Sequence, residues 1–161
     1  MADDPETRLR TRQARQARHQ EGVARTYATD QIEISWEPSL CTHVGECFVT
    51  APDVFDPRAR PWVRLDAADA DAVAEVVMRC PTSALRFRRL DGGPQEEDLV
   101  GDPQVHPVPN GPLEVRGRLR MVDAEGNVVR EMTRVSLCRC GGSRRKPFCD
   151  NSHRLNGFRA D

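Results

Sequence analysis

Six cysteines constrain this chain of 161 residues more than any other feature: Cys41, Cys47, Cys80, Cys138, Cys140 and Cys149. Three of them crowd into 138–149, and His153 follows four residues after the last. At these spacings three thiols and one imidazole can all reach one small inorganic centre. One residue separates Cys138 from Cys140, so an extended or turning backbone aims both sulfurs at one site. Gly141 and Gly142 permit a tight backbone approach, and Pro147 fixes the chain just before Cys149. A short helix starting near Cys149 would put Cys149 and His153 on one face. Asp150 would then lie in its first turn, where a carboxylate suits the exposed amides. The expected ligand set is Cys138, Cys140, Cys149 and His153.

The other three cysteines lie between residues 41 and 80. A disulfide framework would leave one of them unpaired or rob the C-terminal motif. Thiols reserved for metal fit a reducing, cytoplasmic compartment. Aromatic content is 5% and mean hydropathy is −0.63. Two domains built from such a chain would have thin cores, which bound metal would help to fold. No apolar run is long enough for a membrane span, and the Arg- and Gln-rich N-terminus lacks the apolar core of a secretory signal. Charge is two-ended: residues 31–112 carry 14 acids against 7 bases, and residues 113–161 carry 11 bases against 6 acids. That division fits two modules and an oriented approach to partners.

Four segments are expected. Residues 1–30 read as a helical or disordered arm that, with a single aromatic and five acids, does not suit nucleic acid. In residues 31–90, Ile32, Ile34 and Trp36 alternate as a strand. Trp62–Leu65 reads as a second short strand, Ala67–Arg79 as a helix opened by Asp, and Ala84–Phe87 as a closing strand. Residues 91–112 hold five prolines, five acids and no Lys or Arg, the composition of a linker. In residues 113–161, two alternating stretches flank Asp123-Ala124-Glu125-Gly126-Asn127, a β-hairpin feeding the Cys138 loop.

The C-terminal run resembles the CDGSH iron–sulfur (mitoNEET-type) family, with Cys138, Cys140, Ser143, Pro147, Cys149, Asp150 and His153 in register. Asn151 stands where that family usually has Gly, and Asn tolerates the left-handed backbone region that Gly serves. The resemblance implies a 2Fe–2S cluster, with Cys138 and Cys140 on one iron and Cys149 and His153 on the other. Three Cys and one His also make a structural zinc site, although the paired Cys-x-x-Cys knuckles usual for zinc are missing.

Residues 31–90 resemble the single-cluster bacterial ferredoxins through Cys41, Cys47-Phe-Val-Thr-Ala-Pro-Asp-Val-Phe-Asp and Cys80-Pro-Thr-Ser-Ala-Leu. That family's central Cys would fall at Val44, which cannot bind iron. The resemblance therefore implies a 3Fe–4S cluster on Cys41, Cys47 and Cys80. The alternative is a 4Fe–4S cluster with His43 or an outside group as fourth ligand. The implied fold class is α+β, a small ferredoxin-like domain followed by a β-rich CDGSH-type cluster-binding domain.

No Walker or Rossmann loop is present, and every cysteine is assigned to metal, so no catalytic residue is nominated. The expected function is one-electron carriage, with a reductase, an oxygenase or an apo-ferredoxin as partner. The alternative is a cluster carrier or redox and iron sensor. Membrane and nucleic acid are not expected as partners; the CDGSH resemblance implies a homodimer, with the attached ferredoxin domain as the alternative cover for that partner surface.

Overall fold

The computed structural model describes residues 24–161. Most of the expected N-terminal arm lies outside the described residues, but its last part is a strand. Strand β1 (Arg25–Ala28) pairs antiparallel with β2 (Ile32–Trp36), which pairs antiparallel with β3 (Leu85–Arg89). Thr29 forms the β1–β2 turn, its hydroxyl accepting from the N–H of Gln31 and of Ile32. The expected alternation holds on β2, where Ile32 and Ile34 are buried and face Arg89 and Phe87 across the pair.

Two short helices cover this sheet's loops. Helix α1 (Glu46–Thr50) follows the Cys41 loop, and α2 (Ala70–Met78) precedes Cys80. Asp69 sets the start of α2 by accepting from the N–H of Ala72 at 2.8 Å, three residues later than the sequence suggested. Ala70, Val73, Ala74 and Val77 recur at helical spacing and are buried with Ile34, Phe55 and Phe87. The strand expected over Trp62–Leu65 shrinks to one bridge, Val63 to Phe55, followed by a 3-10 turn at Leu65–Ala67.

The segment read as a linker is folded. It holds a 3-10 turn at Glu96–Leu99 and strand β4 (Gln104–Pro107). β4 pairs with β5 (Leu113–Val122), and β5 pairs with β6 (Val128–Leu137), all antiparallel. The expected hairpin turn is present: the Asp123 carboxylate accepts from the N–H of Glu125 and of Asn127. A register shift follows Arg116, and Gly117 sits there at φ +138. A Cβ on Gly117 would lie 2.6 Å from Pro103 Cα, so only glycine lets this strand pass the entrance to β4.

β6 joins the two sheets. Met132, Thr133, Arg134, Val135 and Ser136 are consecutive and all buried, where an exposed-face strand would alternate. Met132, Val135 and Phe148 belong to the same core cluster as Ile34, Val77 and Phe87. Two antiparallel three-stranded sheets with few helices are compatible with the α+β class.

Candidate metal centres

The N-terminal cysteines reach their site from three elements. A 3-10 turn at Pro38–Leu40 delivers Cys41, α1 carries Cys47, and Cys80 follows the end of α2. The loop between the first two turns sharply through left-handed residues, His43 at φ 57 and Gly45 at φ 91. Cys41, Cys47 and Cys80 line one cavity together with His43 and Val44. His43 Nδ1 lies 3.8 Å from Cys41 Sγ. The N–H of Leu85 donates to Cys80 Sγ at 3.5 Å. Burial, and then the neighbouring Cys80 and Cys41, push the Cys47 thiol up to about 11. Three thiols thus line one cavity, and a cationic centre bound there would offset the burial that disfavours the Cys47 thiolate.

Two polar atoms in the lining support that reading. Among the described residues, three buried side-chain atoms lack a hydrogen-bond partner: Thr42 Oγ1, Trp62 Nε1 and Arg86 Nε. Arg86 Nε faces Glu96 Oε1 at 3.5 Å, so an ion pair explains it. Thr42 and Trp62 both line the cysteine cavity. A buried donor with no acceptor costs about 1–3 kcal/mol, and the sulfides of a bound iron–sulfur cluster would supply acceptors. Donor set and orphaned donors thus both fit such a cluster.

At the C-terminal centre, the chain leaves β6 and folds back on it. Leu137 bridges Phe148, the N–H of Cys138 donates to Pro147 O at 2.8 Å, and that of Cys149 donates to Ser136 O at 2.8 Å. Ser143 Oγ donates to Phe148 O and accepts from the Arg145 N–H, and Lys146 Nζ donates to Gly141 O. The loop presents its donors in two pairs: Cys138 and Cys140 with sulfurs 3.9 Å apart, and Cys149 Sγ with His153 Nδ1 at 3.5 Å. The N–H of Gly142 donates to Cys140 Sγ, and that of Asn151 to Cys149 Sγ, both at 3.4 Å.

One expectation here is corrected. The helical turn spans Ser152–Arg154 rather than starting near Cys149, because Asn151 at φ 67 breaks the chain into the left-handed region. Asp150 therefore does not sit in a helical first turn. Its carboxylate accepts from the N–H of Arg144 and from the N–H and hydroxyl of Ser152, which ties the two arms of the loop together. Asn151 fills the position where the resemblance has Gly, in the conformation that Gly serves. Burial, and then the Arg154 charge, hold the His153 imidazole below its ordinary value, which favours the neutral ring that binds metal. Burial pushes the Cys149 thiol up, with further contributions from Cys138, Asp150 and Cys140.

The structure also shows residues that sequence reasoning missed. Arg134 reaches from β6 into the turn that carries Cys80, donating to Cys80 O, Val77 O and Leu85 O at 2.7–2.9 Å. It pairs with Glu96 Oε1 at 2.8 Å, and Glu96 also accepts from Thr133 Oγ1 and the Phe87 N–H. Ser136 touches both centres through its backbone: its N–H donates to Pro81 O at 2.6 Å, and its carbonyl accepts from Cys149. Val44, Glu46 and Pro81 share one groove with Ser136, Cys149 and His153. The two ligand loops are therefore neighbours. No spacing rule could have revealed this, because the partners are tens of residues apart.

Comparisons with known proteins agree with this division. Residues 27–90 match the family model described as "Divergent 4Fe-4S mono-cluster", and residues 110–154 match "Iron-binding zinc finger CDGSH type". Among curated proteins, the chain is similar to the uncharacterized protein YjdI of Escherichia coli K12. The two are 29% identical over 68 residues, which is 42% of this chain and 90% of YjdI. The YjdI of strain O157:H7 matches equally. The family description for residues 27–90 names a 4Fe–4S cluster, whereas the missing thiol at Val44 had pointed to 3Fe–4S. The chain thus joins a domain of the divergent 4Fe-4S mono-cluster family to a domain of the CDGSH iron-binding family.

Proposed function

We propose that the chain is a two-cluster electron-transfer protein that carries single electrons between a reductase and an acceptor protein, and that it is not itself an enzyme. The observation that carries this reading is the adjacency of two three-cysteine sets, with Ser136 bonded to the backbone of both loops. Cys41, Cys47 and Cys80 would hold a 4Fe–4S cluster, as the family description supports, with His43 the candidate fourth ligand in the lining. Cys138, Cys140, Cys149 and His153 would hold a 2Fe–2S cluster. When bound, such clusters supply one-electron redox chemistry. The protein's own residues fix the sulfurs, donate N–H groups to them and exclude water on the buried side. The acidic excess over residues 31–112 suits a basic surface on a reductase or oxygenase.

Stopped-flow reduction of the loaded protein by a ferredoxin reductase tests this. Reduction of both clusters within catalytic turnover times is expected, and no reduction would contradict it. A second reading is favoured by the half-exposed Cys138, Cys140 and His153: the C-terminal centre releases its cluster to apo-proteins. Transfer to apo-ferredoxin without added reductant would support release. His153→Cys replaces a neutral ligand with a thiolate. It is expected to lower that centre's potential and slow its loss, and an unchanged potential would remove His153 from the ligand set.

A further inference from the structure

We infer that Thr42 and Trp62 donate hydrogen bonds to the cluster held by Cys41, Cys47 and Cys80, and that together they raise its reduction potential. The inference rests on the reading of that cavity as a cluster site. It adds two residues that are not ligands, one at a spacer position of the Cys41–Cys47 run and one outside the motifs by which the site was found.

Thr42 lies between Cys41 and His43, is 8% exposed, and has a hydroxyl with no partner among the described residues. Trp62 approaches the same cavity from the opposite stretch of chain, and its indole N–H is buried and likewise unpartnered. The indole is not free to reorient. Its ring meets Trp36 edge-on at 4.9 Å between centroids and Phe55 at 5.8 Å. Its backbone is fixed as well, with Trp62 O accepting from the Asp56 N–H at 2.8 Å. The two orphaned donors belong to residues that line one cavity with the three cysteines, His43, Glu46 and Thr82. A hydrogen bond to sulfide or thiolate stabilises the more negative, reduced state, so each donor moves the potential upward. No proton is transferred, and the donors change only the energy of the electron that a partner protein supplies.

The test is an EPR-monitored redox titration of the full-length loaded protein and three variants, with the C-terminal cluster as internal reference. Thr42→Val removes the hydroxyl at nearly constant shape, Trp62→Phe removes the N–H, and Thr42→Ser restores a donor. A downward shift of the N-terminal midpoint is expected in Thr42→Val and Trp62→Phe. Thr42→Ser should stay near wild type, and the C-terminal midpoint should be unmoved in all three. An N-terminal midpoint unchanged in both deletions would overturn the inference, and so would an equal shift in Thr42→Ser. If either deletion fails to load, Trp36→Phe protein carrying 15N-indole tryptophan, in which Trp62 is the one labelled indole left, provides the second readout. A 15N hyperfine coupling to the reduced N-terminal cluster supports the Trp62 bond, and its absence overturns it. Iron and sulfide counts separate this failure from failure of the cluster reading, which would leave the N-terminal site without iron.

Discussion

Arg134 shows how much one side chain can hold. Its guanidinium has five donor hydrogens, and Cys80 O, Val77 O, Leu85 O, Glu96 and Thr133 Oγ1 all accept from it. Glu96 is fully buried, so removing Arg134 leaves its charge with the longer Arg86 pair at 3.5 Å as its ionic partner. Arg134→Met is expected to cost about 3–5 kcal/mol, read as a lowered urea midpoint of the purified protein. A smaller residue-scale effect is expected at Asn151, which sits at φ 67 beside two ligands. Asn151→Gly should be nearly neutral. Asn151→Val should cost about 1–2 kcal/mol, measured as a lower temperature for loss of the C-terminal cluster's visible absorbance. The ligands were legible in the sequence because their spacing is local: Cys138, Cys140, Cys149 and His153 meet within one loop. Arg134 and Glu96 were not legible, because each acquires its role from a partner far along the chain, and Thr42 and Trp62 were not, because only the fold buries their donors in the cavity lining.

At the scale of elements, local pattern was a good guide wherever one face packed on one core. The alternation of β2, the Asp69-capped helix and the β5–β6 hairpin with its Asp123 turn all followed from periodicity and turn chemistry. Pattern failed where an element serves two neighbours. β6 is buried on both sides from Met132 to Ser136, and its arginine points inward to carbonyls. The proline- and acid-rich stretch 91–112 looked solvated, yet Glu96 is drawn into the core by Arg134, and β4 completes a sheet. β1 is four residues long and offered no periodicity to read. The Asp69 cap gives a test at this scale. Asp69→Ala should destabilise α2, and with it the Cys80 turn, by about 1 kcal/mol. The checks are urea denaturation and faster loss of the N-terminal cluster, with the C-terminal cluster retained.

Across the whole molecule, the two halves are fastened by charge as well as by the shared core. Arg130 makes two hydrogen bonds of 2.6 Å to the Glu37 carboxylate, and Arg145 donates to Ser39 O. The Arg130 bonds hold the Glu37 carboxyl below its ordinary value of 4.5. A carboxyl lowered on folding adds stability that is present above its unfolded value and is lost as pH falls through the folded one. The urea-midpoint difference between wild type and Glu37→Gln should therefore be full at pH 7 and shrink as pH falls below about 4. A difference independent of pH would remove this ion pair from the interface account. The pair positions the Cys41 turn against the sheet that leads to Cys138, so the same contacts that stabilise the molecule also set the two ligand loops side by side. The central claim is that one chain holds two distinct clusters at once, and Mössbauer spectroscopy of the anaerobically loaded, 57Fe-enriched protein tests it most directly. The account predicts two components, a 4Fe–4S spectrum that disappears in Cys47→Ser and a 2Fe–2S spectrum with inequivalent irons that disappears in Cys149→Ser. A single component, or one lost in both variants together, would contradict it.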